Sequence, residues 1–425
     1  MGHLPGISLG LSCLLAAAGC AGEGAGGSAS TATRRDSAGI EIVENAEPAW
    51  REGAGWAVVD SPVVDIGGVA GDPAYDLSQV NSVVRLTGGR LAVAVAGSNQ
   101  IRFYDGQGTH LKSSGARGSG PGEYQGIGGF WLLSGDSVLV LDLFVRRLTV
   151  LDDSGKVGRT FSLGGETGFN VPGEGGRMSF AMPLGVFGNG SVLGVMQSFS
   201  LSDQRQGAFR DSVTYIRYGR DGSARDTVGR VPGMQMETVA MTFGPQSFSA
   251  PSPVPLGKNT IVAVAGSGFL LAKNDAWEIE LHDSAGSLQR LIRVRQEPRR
   301  ISPEQVTAHR EQTRRQMEDQ PMMRNVPDQI RKQITARIDQ ASYPDVFPYI
   351  EAMLPAADGM LWVHEQGNPG DERRTFAVLD STGQLLGRLQ LPIRFRPTFV
   401  EGDLLAGVWQ DDDDVEHVRV YRVKR

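Results

Sequence analysis

Histidine is the first residue type to weigh for chemistry, because its ring both ligates metals and moves protons near neutral pH. The chain has His3, His110, His282, His309, His364 and His417. Each stands alone, without a second histidine at the short spacing that presents two imidazoles to one metal. Asp411–Asp414 supplies four adjacent carboxylates. Calcium takes oxygen ligands, but its loops space them and use glycine to bend, so this run reads as a solvated hairpin loop. Gly118-Ser119-Gly120-Pro121-Gly122 offers backbone N–H groups. It lacks the Gly-Lys-Ser/Thr ending and the following helix of a phosphate cradle, so it reads as a turn. No Gly-x-Ser-x-Gly elbow precedes a helix. Cys13 and Cys20 are the two cysteines, so the rest of the chain has no thiol to act as nucleophile or zinc ligand. The residues therefore point to no cofactor, no metal and no assigned catalytic group.

Those residues sit on a repeated unit of strand, tight polar turn and strand, which the sequence shows six times. The units are Val80 to Leu86 turning at Gly88-Gly89, Phe130 to Leu133 turning at Gly135-Asp136, and Met182 to Phe187 turning at Gly188-Asn189-Gly190. Val254 to Leu256 turning at Gly257-Lys258-Asn259, Tyr349 to Leu354 turning at Asp358-Gly359, and Thr398 to Val400 turning at Gly402-Asp403 follow. Apolar and β-branched runs punctuated by Gly, Asn and Asp are the signature of antiparallel hairpins. A third strand follows most units, as at Ile101 to Asp105, Leu148 to Asp152 and Phe376 to Asp380. Repetition at this spacing predicts an all-β, six-bladed β-propeller over 36–425, with loop insertions. Two early strands, Gly39 to Glu44 and one within Trp56 to Ile66, are expected to complete the last blade and leave no open edge.

One segment departs from the pattern. Ser302-Pro303-Glu304-Gln305 has the form of a capping box with proline at the first helical position. Ile330, Ile334 and Ile338 recur four apart. We expect two helices over 302–341, broken near Pro321 and inserted between blades four and five. The insertion either packs its isoleucine stripe on a neighbouring blade or stands as a lid or docking site over one mouth of the channel.

Gly118 to Tyr124, Val138 to Asp142, and Arg147 to Asp152 with Gly155 resemble an NHL-type repeat. NHL repeats build six-bladed propellers, and the chain is similar to bacterial propeller lipoproteins, most without known activity. The resemblance implies a fold and a secretion route, and no catalytic set. The apolar run 7–18 reads as a signal-peptide core, and Ala17-Ala18-Gly19-Cys20 is similar to a lipobox, which would make Cys20 the lipidated residue. Residues 21–35 then form a flexible tether, rich in Gly, Ala, Ser and Thr. Thr260 to Ala272 is apolar, but Gly266-Ser267-Gly268 splits it into a hairpin rather than a membrane span.

Net charge of −6 argues against a nucleic-acid partner. The expected partners are an unknown protein or small molecule at a channel mouth, and a membrane through the lipidated N-terminus. The candidate ligand contacts are polar and aromatic residues that open first strands: Gln79, Asn81, Tyr349 and Glu351. Arg102, Arg147 and Arg374 recur on third strands and are expected to pair with nearby carboxylates, while Trp131, Trp362 and Trp409 are expected between blades. The sequence thus reads as a membrane-tethered, non-enzymatic binding or scaffold protein of the bacterial cell envelope. The alternative is a lactonase-like propeller hydrolase or lyase, with calcium as the metal if one is used.

Overall fold

The computed structural model describes residues 32–425 apart from 52–54, 70, 165–169, 174–176, 201–204, 244–245, 319–322 and 324–325. The signal, Cys20 and residues 21–31 of the tether lie outside the described residues, as does Pro321. Short apolar runs separated by polar turns pair with their sequence neighbours, and the described residues form six sheets of four strands or more. Sheet one is Val80–Arg85, Leu91–Val95, Gln100–Tyr104 and His110–Ser114. Sheet two is Ile127–Leu132, Val138–Asp142, Arg147–Leu151 and Val157–Phe161. Sheet three has Arg177–Val186, Val192–Ser200, Ala208–Tyr218 and Ala224–Phe243, with Asn170–Gly173 and Gln246–Pro253 at its edges. Sheet four has Ile261–Ala265, Gly268–Ala272, Glu278–Asp283 and Leu288–Val294. Sheet five is Ile350–Pro355, Leu361–Glu365, Arg373–Leu379 and Leu385–Pro392, and sheet six starts with Phe395–Glu401, Leu404–Gln410 and Glu416–Lys424.

These sheets stand as a ring. The first strands of consecutive sheets are neighbours, and that of sheet six lies beside that of sheet one. Apolar clusters fill the spaces between consecutive sheets. Val80, Val83, Leu91 and Val93 pack with Ala406, Val408, Val418 and Val420 between sheets one and six. Trp277, Ile279 and Ile292 pack with Tyr349, Ile350 and Val363 between sheets four and five. Trp362 is buried among Phe376, Phe395 and Tyr421 between sheets five and six, and Trp131 and Trp409 pack against such clusters, as expected. The fold is a β-propeller.

The turn joining third and fourth strands repeats one device. An aspartate accepts backbone N–H bonds from the second and fourth residues after it: Asp105 from Gln107 and Thr109, Asp152 from Ser154 and Lys156, and Asp283 from Ala285 and Ser287. The residue between adopts the left-handed conformation, and it is Gly108, Gly155 or Gly286 because that region is open to glycine.

Four expectations change. Unit four starts at Ile261, not Val254, and its turn is at Gly266-Ser267. Val254 to Leu256 instead follows the long hairpin Ala224–Phe243 and Gln246–Pro253, which the sequence reading missed. The strand Ile40–Asn45 does not complete the last sheet. It lies parallel to Leu288–Val294 at the edge of sheet four, and the ring is completed by Ala57–Val58 and Val64–Ile66 on Glu416–Lys424. Paired structure begins at Ala32 rather than Asp36, because Ala32–Ser37 ladders with Ile40–Asn45, so residues 32–35 of the expected tether are strand.

The helices are α1 (Pro303–Glu318) and α2 (Asp328–Gln340). They follow sheet four in the chain and precede sheet five. The capping box closes both ways: Ser302 N–H donates to Gln305 Oε1 at 2.9 Å, and Gln305 N–H donates to Ser302 Oγ at 3.3 Å. A short neck joins the hairpin to the ring, with Arg300 bridged to Val346 and Ile301 N–H on the Asp345 carbonyl. Arg314–Asp339 clasps the two helices, and His309 on α1 meets Tyr343 just after α2. No α1 residue is buried, and Ile330 stays 37% exposed with Ile334 and Ile338 half-buried, so the stripe does not enter a blade core. Contact with the ring is polar: Arg337 donates to Ser252 Oγ and Ser342 N–H to Glu237 Oε1 on the long hairpin of sheet three.

Candidate functional site at the channel mouth

First strands surround the axis of a propeller, so their side chains line its channel. All first strands start at one end, here called the entry end. The first strand of sheet five carries a β-bulge there: Ile350 pairs with Glu365 and Ala352 with His364, leaving Glu351 outside the ladder. Sheet one does the same, with Val80 on Val95 and Ser82 on Ala94, leaving Asn81 outside. A bulge frees backbone groups and re-aims the side chain it carries. Asn81 and Glu351, both singled out in the sequence, therefore hold corresponding places on the channel wall.

Arg396 lies between them in the ring, on the first strand of sheet six, two residues before the bulge of that strand at Thr398. Its guanidinium donates to the carbonyls of Asn81 at 3.1 Å and Val80 at 2.5 Å. The Val80 N–H in turn donates to Glu416 Oε2 at 2.6 Å. Arg374, at the start of the third strand of sheet five, donates to the Phe395 carbonyl at 3.2 Å. Burial lowers the pKa of Arg374, opposed by Glu351 and helped by Arg396. Burial also lowers Arg396, opposed by Glu416. Arg396 is nonetheless open to solvent, as a side chain on a concave channel wall should be.

Glu351 also meets His364, whose Nδ1 lies 3.0 Å from Glu351 Oε2. The His364 ring stacks on Phe376 with centroids 4.9 Å apart and planes 19° apart. A carboxylate at Nδ1 and an aromatic face fix the orientation of the ring. The mouth thus combines an oriented imidazole, two guanidiniums and two carboxylates on sheets five and six with Asn81 on sheet one. Among the described residues no group of three or more His, Cys, Asp or Glu is arranged to hold a metal ion.

The other sequence candidates are placed differently. Tyr349 is buried in the cluster between sheets four and five, and burial, with Glu297, raises its pKa. Its N–H and that of Ile350 are held by Asn274 Oδ1 at 3.0 and 2.8 Å. Gln79 is exposed, with φ of 51°, and its carbonyl accepts the Ala96 N–H at 3.1 Å.

The third-strand arginines do not share one register. Opposite the corresponding second-strand residues Ala94, Leu141 and His364 stand Ile101, Leu148 and Phe376. Arg102 is one after that point, Arg147 one before and Arg374 two before, so Arg374 is on the other face. None makes the expected carboxylate pair. Arg102 donates to the Asp76 carbonyl at 2.7 Å and Arg147 to those of Ser119 and Glu123 at 2.6 and 2.5 Å, clamping the loops before their own first strands. Asp411 spends its carboxylate on the N–H groups of Asp413 and Val415, the hairpin role expected for that run.

No family model and no curated protein matches this sequence. Among solved structures, the chain is similar to a presumed exported protein of Bacteroides fragilis, at 10% identity over 90% of this chain and 100% of that one, with a TM-score of 0.48. A member of the DUF4221 family from Bacteroides vulgatus is 10% identical over 87% of this chain and 99% of its own, with a TM-score of 0.49. Virginiamycin B lyase from Staphylococcus aureus is 10% identical over 87% of this chain and 100% of its own, with a TM-score of 0.38. At this identity none of them assigns a role to a residue here.

Proposed function

We propose that the chain is a lipid-anchored, six-bladed β-propeller of the bacterial cell envelope that binds a ligand at the entry-end mouth of its channel. The observation that carries the binding role is the convergence of Asn81, Glu351 and Arg396 on three adjacent first strands, backed by His364 and Arg374. Six inter-sheet clusters support the blade count, and the placing of α1 and α2 after sheet four supports an insertion between blades four and five. The anchor rests on Gly19-Cys20. Ala32 supports its geometry: it pairs with Asn45, at the entry end of sheet four. Eleven residues, 21–31, separate it from Cys20, so an anchor there lies within at most about 40 Å. The mouth would then face the membrane.

The second reading is a propeller hydrolase or lyase, favoured by the Glu351–His364 pair. One preparation separates them. Full-length protein, expressed in bacteria and purified without chelators, should enter the membrane fraction, and Cys20→Ser should leave it. It should turn over neither lactones nor esters, with or without calcium. Turnover lost in His364→Ala would replace binding with catalysis, and a wild type carrying no lipid would remove the anchor.

A further inference from the structure

Among the described residues eleven large apolar side chains are exposed, and eight of them belong to the entry end. Leu143, Phe144 and Val145 lie in the turn between the second and third strands of sheet two, and Val415 lies in the corresponding turn of sheet six. Val69 and Ile393 lie on connections from a fourth strand to the next first strand. Met234 is on the fourth strand of sheet three where it runs past the ladder of its second and third strands, and Ile330 is on α2, whose insertion leaves and rejoins the ring at that end. Val63, Leu111 and Leu132 make up the remainder, toward the opposite end. Single exposed apolar residues are ordinary. A set gathered at one end is not, and three in a row is a pattern that water-facing surfaces avoid.

Phe144 is the most exposed of the eleven, at 74%. Its turn is nonetheless fixed. The buried Asp142 accepts the Gln125 N–H at 2.8 Å and the Phe144 N–H at 3.2 Å, and the Leu143 N–H donates to the Gly126 carbonyl at 2.9 Å. Arg146 closes the turn with φ of 51° and lays its guanidinium over the Phe180 ring, 5.1 Å from the centroid. A bare phenyl ring on a fixed backbone is ready to enter an apolar medium with little further ordering.

The N-terminus indicates which medium. Ala32 stands at the same end, and residues 21–31 hold it within at most about 40 Å of Cys20. We propose that the entry face docks on the lipid bilayer, with Leu143, Phe144 and Val145 dipping into its interfacial layer. This rests on the anchor proposed above and adds a second attachment to it. Stable membrane binding commonly takes two such signals, so the face alone holds reversibly and washes off. The carboxylates of Asp411–Asp414 flank Val415, so apolar burial and not attraction to anionic lipid drives the contact.

The test is sedimentation of the full-length Cys20→Ser protein with phosphatidylcholine vesicles. Binding should rise with lipid concentration and should not strengthen when phosphatidylglycerol is added. Phe144→Ser should weaken it about 10-fold, the effect of one large apolar side chain, and Phe144→Leu should keep most of it. Tryptophan emission of Phe144→Trp should shift to shorter wavelength on vesicles. Leu111→Ser and Leu132→Ser, exposed at the other end, should bind as the parent; equal weakening there would overturn the proposal. So would binding that requires anionic lipid, or self-association in solution that Phe144→Ser abolishes, which would give the face to a second copy. The mass of the wild-type N-terminus reads the anchor separately. Lipid on the wild type without vesicle binding by Cys20→Ser overturns the face and leaves the anchor; vesicle binding without lipid on the wild type supports the face and removes the anchor.

Discussion

Asn274 should be among the most sensitive positions in the ring. It sits in the loop after the second strand of sheet four, 1% exposed, with φ of 64°. Its Nδ2 donates to the carbonyls of Asn259 at 2.8 Å and Ile350 at 2.9 Å, and its Oδ1 accepts from Tyr349 and Ile350. One side chain thus fixes the start of the first strand of sheet five, the residues directly before Glu351. Asn274→Ala strips partners from two buried N–H groups, at about 1–3 kcal/mol each, with water entering the space trimming the sum. Alanine in the left-handed region adds about 1 kcal/mol. The expected loss is about 3–5 kcal/mol, a large share of the 5–15 kcal/mol that is typical of a domain. Asn274→Gly removes the backbone part and should recover about 1 kcal/mol. Asn274→Asp keeps the acceptor but loses both donors and buries a charge, so it should not recover the wild type. Urea unfolding of the four proteins measures this. A loss below about 1 kcal/mol in Asn274→Ala would refute the claim that this amide holds sheets four and five together.

Two further outcomes follow from the fold. Replacing 302–341 with a short Gly/Ser loop should leave unfolding cooperative with an unchanged midpoint, because the neck at Arg300 and Val346 remains and no α1 residue is buried; a broad or lowered transition would place the helices in the core. Stability should fall on acidification below about pH 4. Asp105 is lowered by the Thr109 N–H, Asp152 by the Ser154 hydroxyl, Asp283 by the Ser287 N–H and Asp411 by the Val415 N–H. Folded carboxylates then bind fewer protons than unfolded ones, so their contribution is full above the unfolded value of 3.8 and is lost as pH drops through the folded values; equal urea midpoints at pH 6 and pH 3 would contradict this.

Much of the ring was legible because its turns are spelled locally. Gly88-Gly89, Gly135-Asp136 and Gly359 adopt the positive φ that their hairpins need, and the strands beside them alternate or run apolar. The Ser302–Gln305 cap was legible for the same reason: all its partners lie within one turn. What escaped depends on long-range pairing. Ala32–Ser37 is exposed along nearly all its length and has no apolar alternation; its ladder and the Arg34–Glu41 ion pair at 2.8 Å hold it. Val254 to Leu256 carries a turn signal, but Leu256 itself takes φ of 54° and the strand begins later. Arg396 lies outside the Thr398 to Val400 strand read from the sequence, because the strand in fact begins at Phe395. The bulge between Pro397 and Phe399 is where a strand tolerates proline, and it puts Thr398, not Arg396, in register with Glu351.

The repeat also explains why the site lies on one side of the channel. Asn81, Gly128, Glu351 and Thr398 all stand at the bulge of their first strands. A propeller with identical residues there would have a symmetric mouth of like charges, which repel. Sheet two instead places Gly128, where an added Cβ would come within 1.9 Å of Leu143 Cγ. That position carries no side chain and faces the Leu143 side chain, and the polar groups gather on sheets five, six and one. The backbone fixes equivalent positions by repetition, and chemistry arises where the residues at those positions differ. Arg396 reaches across to the Val80 and Asn81 carbonyls of sheet one, while Asn274 holds the backbone directly before Glu351.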